Sequence, residues 1–409
     1  MVLEAARPLG SETVPSAEAL GRVLTASVVS GRSLPPDDNS AMDGYALRAA
    51  DLAAGPVELP VVYEVPAGAR APRPLASGEA ARILTGAPLP SGADAVVRQE
   101  DAERIGERVR IPAGPLAGEF VCRSGENVRR TGEDVAAGDT ALEAGCRLGP
   151  AQLGMLASLG RTTVAVHARP LVALLSGGDE LVEPDGDVSG GRIVSSNSYT
   201  LAAACREVGA EARYLGIARD EPADIEHRLR TGLRCDALVT SAGVSVGDHD
   251  HVRGVLQKLG CRLLCFGVRM KPGYPFVFGR FEEGAGPLLF GLPGNPVSAL
   301  VTFEQFVRPA LLAMAGHTTL HRPRISVTVA ETLTKKAGRL HFVRVRLERC
   351  GREVRARSTG NQSSGVLRSM TEAQGLLIFP AEATRLAAGE QAEVQLLDES
   401  FLAWHGPGF

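Results

Sequence analysis

The sequence has 409 residues, of which 44% are hydrophobic and 22% charged, and its formal net charge is −3. This balance argues against intrinsic disorder and against a basic nucleic-acid-binding surface, and aromatic residues, at 4%, are too few for a base-stacking surface. Because the chain exceeds the size at which one core keeps growing, we expect several domains, and a small-molecule ligand rather than a nucleic acid.

Seven scattered cysteines, an odd number, are typical of a reduced cytoplasmic protein rather than of a disulfide framework. Cys261 and Cys265 share a strand-like run without a second ligand pair, which favours core packing over a zinc site. The first residues lack the apolar stretch of a signal peptide, and no uncharged apolar run approaches about 18 residues. We therefore expect a cytoplasmic protein that neither crosses nor binds a membrane.

The N-terminal part changes character twice along the chain. Leu20, Val23 and Leu24 lie on a helical stripe that predicts a helix over residues 16–24, followed by a short strand over 26–30. Residues 33–138 are rich in Gly and Pro and predict a β-rich module. Its clearest strand-like runs are residues 61–65 and 94–98. A helical pattern returns at 151–159, so the segments flanking the module are expected to form one discontinuous domain.

Strands and helices alternate between residues 167 and 322. The predicted strands are 171–175, 212–217, 237–240, 263–268 and 288–292, and the predicted helices are 198–208, 223–233, 251–259 and one after Pro296. This alternation predicts a doubly wound α/β sheet of about five strands covered on both faces. In residues 342–348 apolar and polar side chains alternate, which predicts a C-terminal β-barrel or sandwich.

Three apolar runs end in polar, Gly-rich turns at residues 174–180, 239–250 and 290–298. Each is expected to run from a strand through a tight loop into a helix, so that the loops meet in a crevice at the carboxyl edge of the sheet. The turn at 291–296 either presents helix N–H groups to a phosphate or is only a rigid connection. Asp179 and Glu180 belong either to this site or to a helix cap.

The other polar groups also allow two interpretations each. Asp248 and Asp250 offer hard oxygen ligands for Mg²⁺, whereas Asp250 is alternatively the cap of the next helix. Zinc is disfavoured there, because successive Asp and His side chains point in different directions. Lys271 either binds a phosphate or oxyanion or is solvated. Arg129 and Arg130 with Glu133 and Asp134 are alternatively a surface ion-pair cluster.

Residues 38–46, DNSAMDGYA, have no explanation in periodicity, and they resemble the molybdopterin molybdenumtransferases, the molybdenum insertases related to the C-terminal domain of gephyrin. The resemblance continues in the family's order through TGAP 85–88, NVRR 127–130, GED 132–134, GDE 178–180, GVSVG 243–247, KPG 271–273, GLPGNPVSA 291–299 and STGNQSS 358–364.

The resemblance implies four domains. They are a discontinuous elongated domain of residues 1–30 and 139–168, a β-rich insertion of 31–138, an α/β molybdopterin-binding domain of 169–322 and a C-terminal β-barrel of 323–409. It also implies a homodimer with an active site shared between subunits. Asp43, Thr85, Arg129 and Asp134 would reach this site from the opposing subunit.

The reaction implied is insertion of molybdenum from molybdate into adenylylated molybdopterin, with Mg²⁺-dependent hydrolysis and release of AMP. Glu180 and Asp250 would hold the metal, and Lys271, Arg344 and Ser364 would hold molybdate. The remaining nucleotide and pterin contacts implied are Asp220, Ser245, Gly291, Pro293, Gly294, Asn295, Pro296 and Ser298. Further partners implied are the molybdopterin adenylyltransferase and apo-molybdoenzymes.

Three positions depart from the family pattern. Gly177 replaces a common Thr, Gly267 replaces a common Lys, and Tyr274 stands where some relatives have Lys. Arg269 is the candidate to supply the charge missing at Gly267. Two other functions compete with the insertase: adenylylation of molybdopterin, against which the 38–46 and C-terminal motifs argue, and a non-enzymatic carrier or scaffold role, against which the single α/β domain argues.

Overall fold

The computed structural model describes residues 1–52, 56–112, 122–241, 251–281, 286–351 and 353–403. These residues form two compact units. The first unit comprises Met1–Thr13, Gly21–Thr25 and Ala165–Phe409, and the second comprises Val14–Leu20 and Ala26–Val164. This division is coarser than the four predicted domains, whose boundaries stay a prediction.

A six-stranded sheet dominates the second unit and confirms the predicted β-rich module. Its strands, in spatial order, are Ala95–Arg98, Gly44–Leu47, Ala80–Ile83, Val57–Val65, Arg108–Ile111 and Glu103–Ile105. Tyr45 and Leu47 contribute to one buried cluster and Ala46 to another, so alternate residues are covered on both faces. Two short ladders pair Asn39–Ser40 with Val128–Arg129 and Val28–Val29 with Thr140–Leu142.

The predicted helix over residues 16–24 is wrong. Only a 3₁₀ turn forms there, over Ser16–Glu18. Gly21 then takes a φ of 77°, which ends any helical path, and Leu24 pairs as an isolated bridge with Val166. The predicted strand at 26–30 is reduced to Val28–Val29. The helix predicted at 151–159 is confirmed as Pro150–Ser158, with Pro150 at its first position.

The first unit contains a six-stranded α/β sheet. Its strands, in spatial order, are Glu211–Ala218, Leu171–Gly177, Ala237–Ser241, Leu288–Leu292, Val277–Phe281 and Cys261–Phe266. The five predicted strands are confirmed and share one direction. Val277–Phe281, which was not predicted, is antiparallel to both of its neighbours.

Helices cover both faces of this sheet, as the alternation predicted. They are Ser196–Glu207, Pro222–Gly232, His251–Lys258, Pro296–Thr302 and Arg308–Met314, the last two joined by a π-helical turn at Phe303–Val307. Val172 and Leu174 pack into one core cluster, and Ala173 and Leu175 into another. Cys261 packs in the second cluster and Cys265 against the first, so these cysteines are core residues on opposite faces.

Pro296–Met314, 19 residues long, is apolar enough by length and composition to cross a membrane. However, 72% of its apolar window is buried inside the protein. Val301, Phe303 and Leu311 are among its fully buried residues. These are the properties of a core helix.

The C-terminal strands close into a barrel. They are Arg324–Val329, Leu340–Cys350, Glu353–Ser358, Gly375–Phe379 and Gln391–Leu396. Pairing of Leu340–Cys350 with Gly375–Phe379 closes the ring and selects a barrel over a sandwich. The short strand Met270–Lys271 pairs in parallel with the start of Leu340–Cys350. Short elements elsewhere are Val2–Ala5, Ser11–Pro15, Thr163–His167, Leu181–Val182, Ile193–Val194, Leu333–Thr334, Arg368–Thr371 and Arg385–Leu386.

Candidate active site

Buried hydroxyl groups line the carboxyl ends of two central strands of the α/β sheet. Ser176 and Ser241 are register partners, and their hydroxyls lie 3.3 Å apart. The Ser195 hydroxyl donates to that of Ser176 at 3.1 Å and lies 3.2 Å from that of Ser198. The Thr240 hydroxyl is buried without a partner among the described residues. Polar side chains therefore replace apolar packing at the sheet edge where the crevice was predicted.

Three acidic side chains lie on loops at the same edge. Asp179 accepts a hydrogen bond from the backbone N–H of Asp220 at 3.0 Å, so the loops after two neighbouring strands are joined. The Glu180 carboxylate folds back on Gly178, where a Cβ atom would lie only 2.5 Å from Glu180 Oε2. Gly178 has a φ of 137°, a backbone conformation that favours glycine, whereas the Glu180 side chain could move away from a Cβ atom.

The helix-cap interpretation of Asp179 and Glu180 is wrong. The next helix begins at Ser196, after a short parallel ladder between Leu181–Val182 and Ile193–Val194. The first of the three predicted strand–loop–helix turns is therefore a longer connection than expected. This leaves both carboxylates in the loop at the sheet edge, rather than at a helix start.

The carboxylate oxygens on these loops are the kind of ligand that Mg²⁺ binds. Asp179, Glu180 and Asp220 supply hard oxygens, and none forms an ion pair within the described ranges. No group of three or more His, Cys, Asp or Glu among the described residues is arranged to hold a metal ion. Mg²⁺ commonly uses only one or two carboxylates together with substrate phosphates. Asp250 and Ser245, with the rest of the predicted turn at 242–250, lie outside the described residues.

The turn between Leu288–Leu292 and the following helix is tied to a second helix start. Asn295 is the N-cap and Pro296 occupies the first turn, as predicted. Asn197 donates from Nδ2 to the Gly294 carbonyl at 2.7 Å, while its Oδ1 is buried without a partner in the described part of the chain. Pro293, Gly291 and Ser298 are buried. This leaves the Asn197 oxygen as an unused acceptor beside the turn.

Arg344 is fully buried and has no carboxylate partner among the described residues. Its Nε donates to the Ser369 hydroxyl at 3.1 Å, and its Nη2 donates to the carbonyls of Ser363 and Asn361 at 3.0 and 3.4 Å. Nη1 has no partner. Burial lowers the pKa of Arg344 to about 10, which still leaves the guanidinium charged at neutral pH.

The segment that receives Arg344 also contacts the helix that follows the Gly291 turn. The Ser364 carbonyl accepts a hydrogen bond from the backbone N–H of Val297 at 3.1 Å. Arg344, Ser364 and the helix start at Pro296 are thus linked through adjacent hydrogen bonds. The structure therefore brings together Arg344 and Ser364, two of the three residues predicted to hold the oxyanion.

Lys271 lies on the neighbouring strand, directly beside His341. These two residues are register partners, and partners in a ladder share a face. The Lys271 side chain makes no hydrogen bond or ion pair within the described ranges. His341 is buried and neither of its ring nitrogens has a partner there. The structure therefore places Lys271 beside His341, three positions along the strand from Arg344.

The expected replacement of charge by Arg269 is not supported. Its side chain is 78% exposed and lies 3.8 Å from Glu382, so its charge is directed to a surface carboxylate. Tyr274 packs near Gly267, where a Cβ atom would be 3.5 Å from the tyrosine ring. Arg339 also lies over that ring, with 4.8 Å from its Cζ to the centroid. Gly267 and Tyr274, the two departures from the family pattern in this segment, therefore pack beside each other.

In the second unit, three of the resembling motifs converge. Thr85 donates to Asp43 Oδ1 from both its backbone N–H and its hydroxyl, each at 2.7 Å. Both hydrogen bonds lower the pKa of Asp43 below its ordinary value, and the one from the Thr85 backbone N–H has the larger effect. Asn39 pairs with Arg129, which brings the 127–130 motif to the 38–46 motif. The cluster thus presents an ionised carboxylate with fixed geometry.

The predicted surface ion-pair cluster around Arg130 is wrong in its partners. Arg130 pairs with Asp38 at 2.7 Å, and the Glu133 carboxylate accepts the Arg130 backbone N–H at 2.8 Å. Arg129 and Asp134 form no ion pair among the residues described. Their charges therefore remain available to a ligand.

Family models match three successive stretches of the chain. They are "MoeA N-terminal region (domain I and II)" over residues 1–160, "Probable molybdopterin binding domain" over 173–313 and "MoeA C-terminal region (domain IV)" over 326–397. A molybdopterin molybdenumtransferase 2 of Mycobacterium tuberculosis is 39% identical over 405 residues, covering 96% of each chain. The chain belongs to the MoeA family. It is an enzyme of molybdenum cofactor biosynthesis, of the molybdopterin molybdenumtransferase type.

Other MoeA relatives agree over nearly the full length. A molybdopterin molybdenumtransferase of Nostoc is 37% identical, covering 94% of this chain and 88% of its own. The crystal structure of a molybdopterin biosynthesis moeA protein of Pyrococcus horikoshii matches with a TM-score of 0.80, at 30% identity over 97% of both chains. The MoeA resemblance first seen in short motifs is therefore confirmed over nearly the full length of the chain.

Several residues of this MoeA site were missed from the sequence. Ser195, Asn197 and Ser198 lie at the start of Ser196–Glu207, on the sheet edge. The polar run Ser195-Ser196-Asn197-Ser198 at the start of the predicted helix 198–208 was a usable signal, since such residues favour helix starts. His341 offered no such signal, because it occupies an apolar position of an alternating strand.

Proposed function

We propose that this enzyme inserts molybdenum from molybdate into adenylylated molybdopterin and couples the insertion to Mg²⁺-dependent hydrolysis of the adenylate, with release of AMP. The observation that carries the proposal is Arg344, a fully buried guanidinium without a carboxylate partner among the described residues and with an unused Nη1. A buried cation needs compensation, because desolvation of an unpaired charge is costly. A small oxyanion would supply it.

Molybdate suits this position in charge and hydrogen-bonding character. Arg344 Nη1 would donate to one oxygen, and the Ser364 hydroxyl is on the segment whose carbonyls already accept from Arg344 Nη2. Lys271, which lacks a partner in the described part of the chain, would add a second positive charge. Fixed donors of this kind stabilise an oxyanion without reorganising during reaction.

The acidic loops would serve the hydrolysis of the adenylate. Glu180 and Asp250 would hold Mg²⁺, whose charge would neutralise the phosphoanhydride and polarise the bond that is cut. Asp179 fixes the backbone at Asp220 through its hydrogen bond, so the two loops would keep their spacing as substrate binds. Asp220, Ser245 and the turn from Gly291 to Ser298 would contact the nucleotide and pterin.

The residues of the second unit would complete the site from the opposing subunit of a homodimer. Asp43 is ionised and held by Thr85, while Arg129 and Asp134 have no ion-pair partner among the described residues. We place the reaction in the cytoplasm. The molybdopterin adenylyltransferase would supply the adenylylated substrate, and apo-molybdoenzymes would receive the product.

The test is AMP release from adenylylated molybdopterin and Mg²⁺, with and without molybdate, by wild type and by Arg344→Met. We expect molybdate-dependent release by wild type and a loss of about 100-fold or more in the variant, as for removal of a fixed charge-stabilising donor. Arg346→Met is the matched control. Arg346 lies on the same strand but pairs with Glu372 at the surface, so release should stay near the wild-type rate.

Two results would overturn the proposal. Wild-type protein that binds the pterin without releasing AMP under any molybdate concentration would indicate a carrier. Formation of adenylylated molybdopterin from ATP and molybdopterin, without molybdate dependence, would indicate the preceding adenylylation step. Equal loss in Arg344→Met and Arg346→Met would remove Arg344 as the supporting observation.

A further inference from the structure

The barrel strand that carries Arg344 loses part of its backbone pairing at this residue. The ladder between Leu340–Cys350 and Glu353–Ser358 ends at the pair Val345 and Ser358. Beyond this pair the Arg344 C=O still accepts a hydrogen bond from the Thr359 backbone N–H at 3.0 Å, whereas the Arg344 N–H has no acceptor on the neighbouring strand. An unpaired backbone group in a buried position is costly, so another group is expected to take this place.

The side-chain amide of Gln362 takes it. Gln362 Oε1 accepts from the Arg344 N–H at 3.0 Å, and Gln362 Nε2 donates to the Arg344 carbonyl at 3.1 Å. The amide thus supplies the acceptor that the neighbouring strand does not provide, and it adds a second donor to the carbonyl that Thr359 already contacts. The two bonds also fix the orientation of the amide, since only one arrangement gives each backbone group a complementary partner.

The same amide organises the segment that follows Ser358. Gln362 Nε2 also lies 3.1 Å from the Ser358 hydroxyl and 3.3 Å from the Thr359 hydroxyl. The segment in turn provides the carbonyls of Asn361 and Ser363 that receive Arg344 Nη2. Gln362 therefore contacts the backbone of Arg344 and shapes the loop that receives the guanidinium.

We propose that Gln362 is the positioning residue of the oxyanion site, holding Arg344 and the Ser364 segment at a fixed spacing. The inference rests on the proposed function, because it takes molybdate as the oxyanion that binds beside Arg344. Gln362 acts through Arg344 and Ser364 and does not contact the substrate itself. Removing its amide would leave both binding groups present but displaced, and displacements of about 1 Å are enough to weaken a preorganised site.

The test compares Gln362→Met with Gln374→Met. Gln374 is a matched control, because its Oε1 also accepts a backbone N–H of the same strand, that of Leu347, at 2.8 Å. Molybdate binding to each folded protein is measured by equilibrium dialysis, and AMP release is measured over a range of molybdate concentrations. Gln362→Met should raise the Kd and KM for molybdate about 10-fold or more, with kcat at saturation changed less than about 3-fold. Gln374→Met should leave both constants within about 2-fold.

A second variant, Gln362→Glu, covers the case in which Gln362→Met does not fold. It keeps the acceptor for the Arg344 N–H, loses the donor and adds a negative charge, so molybdate should bind more weakly still. Equal effects of the Gln362 and Gln374 substitutions, or wild-type affinity in both Gln362 variants, would overturn the inference. Wild-type protein that binds molybdate but releases no AMP would instead defeat the proposed function, while dialysis still decides the role of Gln362.

Discussion

Arg344 and His341 lie three residues apart on one strand, and burial lowers the pKa of both, with opposite consequences for their charge. The pKa of Arg344 falls to about 10, so Arg344 keeps its charge at neutral pH. The pKa of His341 falls to about 4, mainly through burial and further through the charges of Lys271, Arg344 and Lys335. His341 is therefore neutral at neutral pH. Proton binding to His341 would add one more positive charge near Lys271, Lys335 and Arg344, and Arg344 has no carboxylate partner in the part of the chain that the structure describes.

Acid should therefore destabilise the protein through His341. In the unfolded chain His341 has its ordinary pKa of 6.5, whereas in the folded protein its pKa is about 4. The neutral ring therefore contributes fully to the free energy of unfolding above pH 6.5, and this contribution is lost as pH falls towards 4. His341→Leu should reduce the pH dependence of the free energy of unfolding in this window by up to about 1.4 kcal/mol per pH unit. Urea unfolding of both proteins at pH 7.5, 6.0 and 5.0 measures it. Identical pH dependence in the two proteins would contradict the assignment.

Sequence patterns predicted residues better where the chemistry was local than where it depended on the fold. Asp179 and the Gly291 turn follow predicted strands, and both lie at the expected edge, whereas Asp220 was implied only by the resemblance. The bond between Asp43 and Thr85 joins residues 42 positions apart, so no periodicity reveals it. Only the resemblance linked them. The Gln362 amide was equally hidden, because its role depends on where a barrel ladder ends.

At the element scale, the α/β strands were predictable because each is a short apolar run between turns. Val277–Phe281 was missed because Gly279 and Arg280 interrupt its apolar pattern, and it follows the Lys271-Pro272-Gly273 turn closely. Pairing on both sides outweighs this weak propensity. The predicted helix at 16–24 failed for the opposite reason. Its three apolar residues suggested a stripe, but Leu20 is 58% exposed and only Val23 and Leu24 are buried.

Two glycine-to-alanine substitutions should have opposite effects on stability. At Gly279 a Cβ atom would lie 2.8 Å from Cys261 Sγ and 3.1 Å from the Arg262 carbonyl, so Gly279→Ala should destabilise by about 1–3 kcal/mol. At Gly254, in helix His251–Lys258, a Cβ atom meets nothing within 4 Å, so Gly254→Ala should stabilise by up to about 1 kcal/mol. Urea unfolding of both variants checks this. A stabilised Gly279→Ala would show that the strand pair can separate without cost.

At the scale of the whole molecule, the residues proposed for one reaction are divided between two compact units. Asp43, Thr85, Arg129 and Asp134 belong to the second unit, and Glu180, Asp220, Lys271 and Arg344 belong to the first. Each set has its own supporting hydrogen bonds within its own unit. The resemblance implies a homodimer in which each active site takes one set from each subunit. This implication predicts how inactive variants behave when they are mixed.

Asp43→Ala and Glu180→Ala should each abolish molybdate-dependent AMP release, and a mixture of the two should recover it. With random exchange of subunits, half of the dimers are mixed, and one of the two sites in each mixed dimer is free of both substitutions, which gives about a quarter of the wild-type rate. A mixture of Glu180→Ala with Arg344→Met is the control. Both of these residues belong to the first unit, so every site keeps one substitution and no rate is recovered. Subunit exchange is verified with differently tagged chains, and exchange without recovery in the first mixture would show that each site is built within one subunit.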